Sequence, residues 1–269
     1  SVLVLCPNCK NSKHREILFL TKPNETLTHW EGEKLSKENA CMTSGVKTVY
    51  WLGDLKKTIE YLMLECDVLY INTNEHYRAK VETETREARF NKWIQKKYPV
   101  KNIQRSNPIL QNLRSIKEGI ELELIQKACD ITEKGFRRVL KFIKPGVWEY
   151  EIEAEFSHEF LINRSRKFAY SPIIASGKNS NILHYIKNNN QCRDGDVILL
   201  DVVAEYANYS SDMTRTVPVS GKFTKRQKEV YNSVLHVKNE ATKLLNPGIL
   251  WKDHHNEVGN IMTSELLKL

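Results

Sequence analysis

Between Val197 and Val219 the chain places two aspartates where strands ordinarily carry branched apolar side chains. The apolar run Val197-Ile198-Leu199-Leu200 ends in Asp201, and a second acid, Asp212, precedes Met213, Thr214 and Val217. β-Branched and aromatic residues flank Tyr206, Ala207 and Asn208, which predicts an antiparallel hairpin closed by a two- or four-residue loop. Side chains alternate faces along a strand, and Asp201 and Asp212 differ in parity. Any even loop therefore puts both carboxylates on one face, opposite or diagonal to each other, with Asp212 expected inside the returning strand. Aspartate is depleted in strand interiors, and two carboxylates held close repel unless a cation lies between them. Hard or borderline divalent ions are what such pairs accept most readily. A solvated hairpin tip is the competing explanation, but Asp201 closes an apolar strand instead of lying in the turn.

No apolar run approaches the roughly 18 residues that span a bilayer, and the opening SVLVLCPNCK lacks a signal peptide's basic start and small-residue cleavage site. Neither membrane nor export is expected. Lys and Arg outnumber Asp and Glu by 41 to 33, a net charge of +8. The lysines are interspersed with glutamates and form no aromatic-interleaved patch, so nucleic acid is not an expected partner. Of six cysteines, only Cys6-Pro7-Asn8-Cys9 is spaced like a metal knuckle or redox pair. No second pair recurs at a suitable distance, which favours reduced thiols at a strand end in a cytoplasmic protein.

In chain order, residues 2–5, 16–20, 48–52 and 67–71 read as strands. Asp54 is expected to cap a helix running to about Glu65, and a second helix spans about 82–98 before Pro99. Strands alternating with helices imply an α/β layer, and no Gly-rich phosphate loop follows any of them. Asn107-Pro108 marks the expected junction between a domain over 1–106 and one over 107–269. Ser115-Ile116-Lys117-Glu118 reads as a capping box that opens a long helix. Its stripe of Ile116, Ile120, Leu124, Ala128, Ile131 and Val139 runs to Pro145-Gly146. A helix over about 149–163 buries Ile152, Phe156 and Phe160. His158 and Glu159 are adjacent on it and diverge, a poor metal pair. A strand over 168–175 follows, then a turn at Gly177, His184 within Leu183-His184-Tyr185, and the turn Asp194-Gly195-Asp196. Thr224-Lys225-Arg226-Gln227 caps a helix to about Leu245, and Trp251 precedes a last helical pattern. The order helix, Pro-Gly break, tryptophan, helix thus occurs twice, at Pro145-Gly146 and Pro247-Gly248.

Asp201, Glu205-Tyr206, Tyr209 and Ser211-Asp212-Met213-Thr214-Arg215-Thr216 resemble the first metal-binding hairpin of the pita-bread metallopeptidases. That superfamily comprises aminopeptidase P, prolidase and methionine aminopeptidase. The chain as a whole is most similar to the Xaa-Pro aminopeptidases, and Leu113 to Lys117 with Glu121 resembles the opening of their catalytic domain. The resemblance implies a partial creatinase-like α/β N-terminal domain over 1–106, followed by the first half of an α+β pita-bread catalytic domain over 107–269. A chain cut at both ends is expected on that ground.

The activity implied is that of a metal-dependent exopeptidase removing the residue ahead of a proline at the second position of a peptide. Asp201 would chelate one of two divalent ions, manganese in the family's usual case, and Asp212 would bridge both. A hydroxide shared by the ions would attack the carbonyl, with His184 steadying the developing charge. The remaining ligands, one histidine and two glutamates, are expected beyond residue 269, and His236, His254 and His255 do not match them. The 269 residues alone are therefore expected to turn nothing over and to hold metal weakly or not at all. A cytoplasmic dimer or tetramer is the implied assembly. Prolidase, and a non-catalytic pita-bread binding module, are the competing identities. Val203 stands where the family commonly has glycine and is expected to narrow the site. Ala207-Asn208 replaces a common Lys-Gly turn, which asparagine still permits.

Overall fold

The computed structural model describes residues 1–76 and 81–269, the side chains of residues 25 and 27 excepted. The chain divides into two compact units, Ser1–Ile116 and Lys117–Leu269.

The first unit runs β1 (Val2–Leu5), β2 (Glu16–Leu20), α1 (Glu25–Glu31), α2 (Lys37–Ser44), β3 (Thr48–Trp51), α3 (Leu55–Leu62), β4 (Val68–Ile71), α4 (Arg86–Lys97), β5 (Asn102–Arg105) and α5 (Asn107–Ser115). β2 is central, antiparallel to β1 and parallel to β3, while β4 pairs in parallel with β5. Alternation along β2 turns Ile17 and Phe19 inward, where Ile59 and Leu62 of α3 and Ile94 of α4 join them. The α/β layering follows the sequence pattern, but several element ends differ from it. Asp54 caps nothing, because it lies in a tight turn, Leu52–Asp54, with helical backbone and no capping hydrogen bond. Thr85, accepting from the Ala88 N–H, starts α4 four residues later than the periodicity predicts. Pro108 falls in the first turn of α5, where a missing N–H costs nothing. Asn107-Pro108 therefore opens a helix of the first unit instead of separating the two.

The second unit runs α6 (Gly119–Phe142), α7 (Glu149–Ile162), β6 (Ile173–Ser176), β7 (Val197–Asp201), β8 (Glu205–Tyr206), β9 (Tyr209–Ser210), β10 (Thr214–Pro218), α8 (Lys225–Leu244) and α9 (Trp251–Leu266). Its main sheet is antiparallel throughout, in the order β10-β7-β6. The long helix does begin with a capping box, but one made by Glu118 and Glu121, since Ser115 ends α5. Ile116 and Ile120 are consequently exposed. The buried stripe starts at Ala128 and continues through Ile131, Phe136 and Val139, facing Ile152, Phe156 and Phe160 of α7 and Ile198 and Leu200 of β7. Each phenylalanine fully buried there contributes on the order of 1.5–3 kcal/mol. The strand predicted over 168–175 is ordered only from Ile173, just past Pro172, with Phe168 forming an isolated bridge to Ala204. Thr224 and Gln227 close the predicted box at the start of α8, and α8 packs on α9. No helix among the described residues is long and apolar enough to cross a membrane.

Gly135 of α6 lies against α7, where an added Cβ would meet Phe160 at 2.7 Å and Phe156 at 2.9 Å. Alanine is the better helix former by about 1 kcal/mol, but overpacking a core costs about 1–3 kcal/mol. Gly135→Ala is thus expected to lower the urea midpoint, whereas an exposed helical glycine such as Gly259 changed to Ala should raise it.

Candidate metal centre

The hairpin that carries both aspartates obeys a single register. Asp201 pairs with Thr214 at the base, Glu205 with Ser210 and Tyr206 with Tyr209 near the tip, leaving a two-residue loop. Ala207 and Asn208 in that loop both have positive φ, 50° and 67°, the pattern of the turn whose twist matches a hairpin. Along β7, Ile198 and Leu200 point into the core, which leaves Leu199 and Asp201 on the other face. Asp212 stands two residues before Thr214, the partner of Asp201. It is therefore diagonal to Asp201 on that same face.

Asp212 is not inside the returning strand, because β10 begins at Thr214. The ladder opens over 202–203 and 212–213, beside the point where Thr132 of α6 intrudes and the Ala204 carbonyl still accepts the Ser211 N–H at 3.2 Å. The Thr132 hydroxyl accepts from the Ala204 N–H at 2.9 Å and lies 2.7 Å from the Ser211 hydroxyl, which donates to the Ala204 carbonyl at 3.1 Å. A buried side chain thereby replaces one ladder bond and frees the backbone around Asp212 from the strand.

Tyr170 completes the arrangement, and the sequence reading had not singled it out. Its segment is laid alongside β7 by the Phe168–Ala204 bridge and by the Ala169 N–H on the Val203 carbonyl, 3.0 Å. The phenol oxygen lies 2.5 Å from Asp201 Oδ1 and 3.2 Å from Asp212 Oδ1, two distances that together bound the carboxylate oxygens to within 5.7 Å of each other. Burial first, and then the two acids, hold the phenol above its ordinary pKa, so it stays protonated and serves them as a hydrogen-bond donor. Val203, expected to narrow the site, is itself buried.

Convergence of two carboxylates on one point gives an all-oxygen donor set that suits a hard divalent cation. Among the described residues, no group of three or more His, Cys, Asp or Glu side chains could hold a metal. Asp201 and Asp212 thus fit one side of a metal site, and no third ligand joins them. His184 is exposed in the loop between β6 and β7, while the hydrogen bonds described for the two aspartates come from Tyr170. Its neighbour Tyr185 packs with Ile173, Ala175 and Leu199, on the sheet face that ends in Asp201.

That loop is pinned by two carboxylates of α7. Glu149, fully buried, accepts on Oε1 from the Ser176 N–H and hydroxyl, both at 2.7 Å, and on Oε2 from Tyr185 at 2.8 Å and the Asn190 N–H at 2.9 Å. Glu153 takes a hydrogen bond from Asn188, whose Oδ1 accepts the Ile174 N–H. The outward N–H groups of β6, an edge strand, are thereby satisfied by side chains and closed to further pairing.

An antiparallel sheet backed by two helices, with paired carboxylates on its outer face and an α/β unit preceding it, defines the class of pita-bread metallopeptidases. The profile of Metallopeptidase family M24 matches residues 123–268, and that of the Aminopeptidase P N-terminal domain matches residues 1–70. The chain belongs to metallopeptidase family M24. It is 32% identical to the Xaa-Pro aminopeptidase of Escherichia coli, over 100% of this chain and 61% of that protein. Identity to human Xaa-Pro aminopeptidase 3 is 30%, over 92% of this chain and 49% of the relative. Among solved structures, Yersinia pestis proline aminopeptidase P II superposes with a TM-score of 0.81 at 30% identity, covering 94% of this chain and 58% of that one. Zinc-substituted Escherichia coli aminopeptidase P in complex with product gives 0.80 at 30% identity, with the same coverage. The chain therefore spans about half to three fifths of the length of these relatives.

Two substitutions probe this site. Glu149→Gln keeps the size of the side chain but turns an NH2 toward buried donors, so a loss of about 2–4 kcal/mol is expected in urea unfolding. Tyr170→Phe removes the donor shared by the aspartates and should cost about 1.5–3 kcal/mol, the range for hydrogen bonds to charged groups. Manganese should then raise the melting temperature of Tyr170→Phe more than that of the parent, since no phenol competes for the carboxylates.

Proposed function

We propose that the protein carrying this chain is a metal-dependent exopeptidase that removes the first residue of peptides with proline in second position. Relatives named Xaa-Pro aminopeptidase support this reading at 32% and 30% identity. The observation that carries it is the meeting of Asp201 and Asp212 on a single phenol oxygen.

Both aspartates would be ligands for divalent ions, with manganese, the family's usual ion, consistent with oxygen-rich ligation. Ions bound there would supply Lewis acidity and a nucleophile generated from water at neutral pH. The chain's own residues do the positioning. Asp201 is held by pairing on both sides of β7, between Ile173 and Thr214. Tyr170 keeps its proton and offers it in hydrogen bonds to the Asp201 and Asp212 carboxylates. His184, carried by the loop that Glu149 and Glu153 pin, would donate to the oxygen on which charge develops as the peptide carbonyl is attacked. The cysteines among the described residues are all free, which supports a reducing, cytoplasmic location. Assembly as a dimer or tetramer belongs to the same reading.

The test is release of the first residue from an Xaa-Pro-Xaa peptide by the full-length protein, with and without manganese. Activity should require the metal, and Asp212→Ala should lower kcat/KM at least about a hundredfold while leaving the urea midpoint of the apo-protein nearly unchanged. An Asp212→Ala protein as active as its parent would remove these carboxylates from the chemistry.

A further inference from the structure

The first unit holds a cluster of thiols that the metallopeptidase reading does not use. Cys6 follows β1, Cys9 closes a turn with its N–H on the Cys6 carbonyl at 2.9 Å, and Cys66 lies between α3 and β4. Cys6 Sγ and Cys66 Sγ are 3.4 Å apart although the residues are sixty positions apart in sequence. Cys9 lies beside Cys6 as well, and it also reaches outside the thiols. Its thiol contacts Glu65 Oε2 at 3.5 Å, a carboxylate that also accepts the Lys10 N–H and the Tyr61 hydroxyl. Since no group of three or more ligating side chains among the described residues could hold a metal, ligation does not account for the cluster.

We propose that Cys6 and Cys66 are a reversible disulfide site, oxidised by small-molecule disulfides through attack by Cys66 and resolution by Cys6. Cys66 is the half-buried member of the pair and meets the reagent, whereas Cys6 is buried. The Cys66 thiol loses its proton and attacks one sulfur of the reagent, breaking that S–S bond, releasing one thiolate and leaving a mixed disulfide on Cys66. Cys6, deprotonated in turn, attacks Cys66 Sγ and expels the second reagent thiolate. Two protein thiols are oxidised to one disulfide, one reagent disulfide is reduced to two thiols, and the two protons pass to the released thiolates.

Closure needs the sulfurs to move from 3.4 Å to about 2.05 Å. The backbones at both ends are anchored, Cys6 through its N–H on the Arg15 carbonyl at 2.8 Å. Cys66 is anchored through its N–H on the Leu62 carbonyl at 3.1 Å and its own carbonyl under Lys101 Nζ at 2.6 Å. Side-chain rotation therefore supplies the movement. Burial, and then contact with Cys66, push the Cys6 thiol up to about 12, so Cys6 holds its proton until it acts as the resolving thiol. Once formed, the bond would join the end of β1 to the junction of α3 and β4 and close a sixty-residue loop, restricting the unfolded chain.

The experiment incubates the folded protein with glutathione disulfide, blocks free thiols by alkylation and maps the peptides by mass spectrometry. It depends on no activity and needs no variant for its main readout. The expected product is a Cys6–Cys66 cross-linked peptide that dithiothreitol cleaves, together with a higher urea midpoint for the oxidised protein. Cys66→Ser should abolish both effects, and Cys41→Ser should abolish neither. A Cys6–Cys9 cross-link, a glutathione adduct that persists on Cys66, or thiols that all remain free would each overturn the assignment.

Discussion

One hairpin register determines where both aspartates of the candidate centre lie. Because Asp201 faces Thr214 and Tyr206 faces Tyr209, the same alternation that buries Ile198 and Leu200 holds Asp201 and Asp212 on the opposite face. A slip of one residue would drive Asp201 into the core and expose Leu200. That exchange loses the burial of a leucine, about 1.5–3 kcal/mol, and adds the desolvation of a carboxylate. The hydrophobic core thus enforces the geometry of a polar site that lies on its far side. Thr132 refines it by replacing one ladder bond just where Asp212 must leave the strand.

The loop that carries His184 is ordered by a different means. Its Ile182, Leu183 and Ile186 are exposed, and beyond the packing of Tyr185 and Cys192 it is held by carboxylates projecting from α7. Glu149 is buried among four donors, an arrangement tolerated because each oxygen accepts two hydrogen bonds from backbone or hydroxyl groups. Position in this loop depends on polar satisfaction as well as on the packing of Tyr185, so its geometry is sensitive to the loss of single hydrogen-bonding atoms. Asn188, at φ 45°, adds a conformation that asparagine adopts more readily than most residues.

Much of the second unit was legible in the sequence because its signals are local. The stripe of α6 from Ala128 onward, the face of α7, the box at Thr224 and the two Pro-Gly breaks depend on neighbours within a turn or two. The breaks at Gly146 and Gly248 take nearly the same φ, 95° and 93°. That the two acids share a face could be read from parity, given an even loop; that they stand diagonal and not opposite required the register. Tyr170 could not be read, because its contact with residues 31 and 42 positions away arises from a bridge at Phe168 that no periodicity announces. The bond between Glu149 and Tyr185, 36 positions apart, was hidden for the same reason. Competing caps explain the boundary errors. Ser115 and Glu118 both suit an N-cap, and Glu118 takes the role because Glu121 can reach back to it.

The premise that paired carboxylates need a cation is modified by what lies between them. At a separation of at most 5.7 Å, two charges repel by at least about 3 kcal/mol at an effective dielectric of 20 and by roughly 1 kcal/mol in water. Asp212 is exposed, which places the pair toward the weaker end. A single hydrogen bond to a charged group contributes about 1.5–3 kcal/mol, so the Tyr170 phenol is sufficient to hold the acids together. The hairpin therefore does not require an ion to fold. It presents two oxygens whose one shared partner is a neutral hydroxyl, and a divalent cation gains far more from both carboxylates than a phenol does. Tyr170 and a metal are then alternatives for the same pair, with the phenol maintaining the convergence on which ligation would depend.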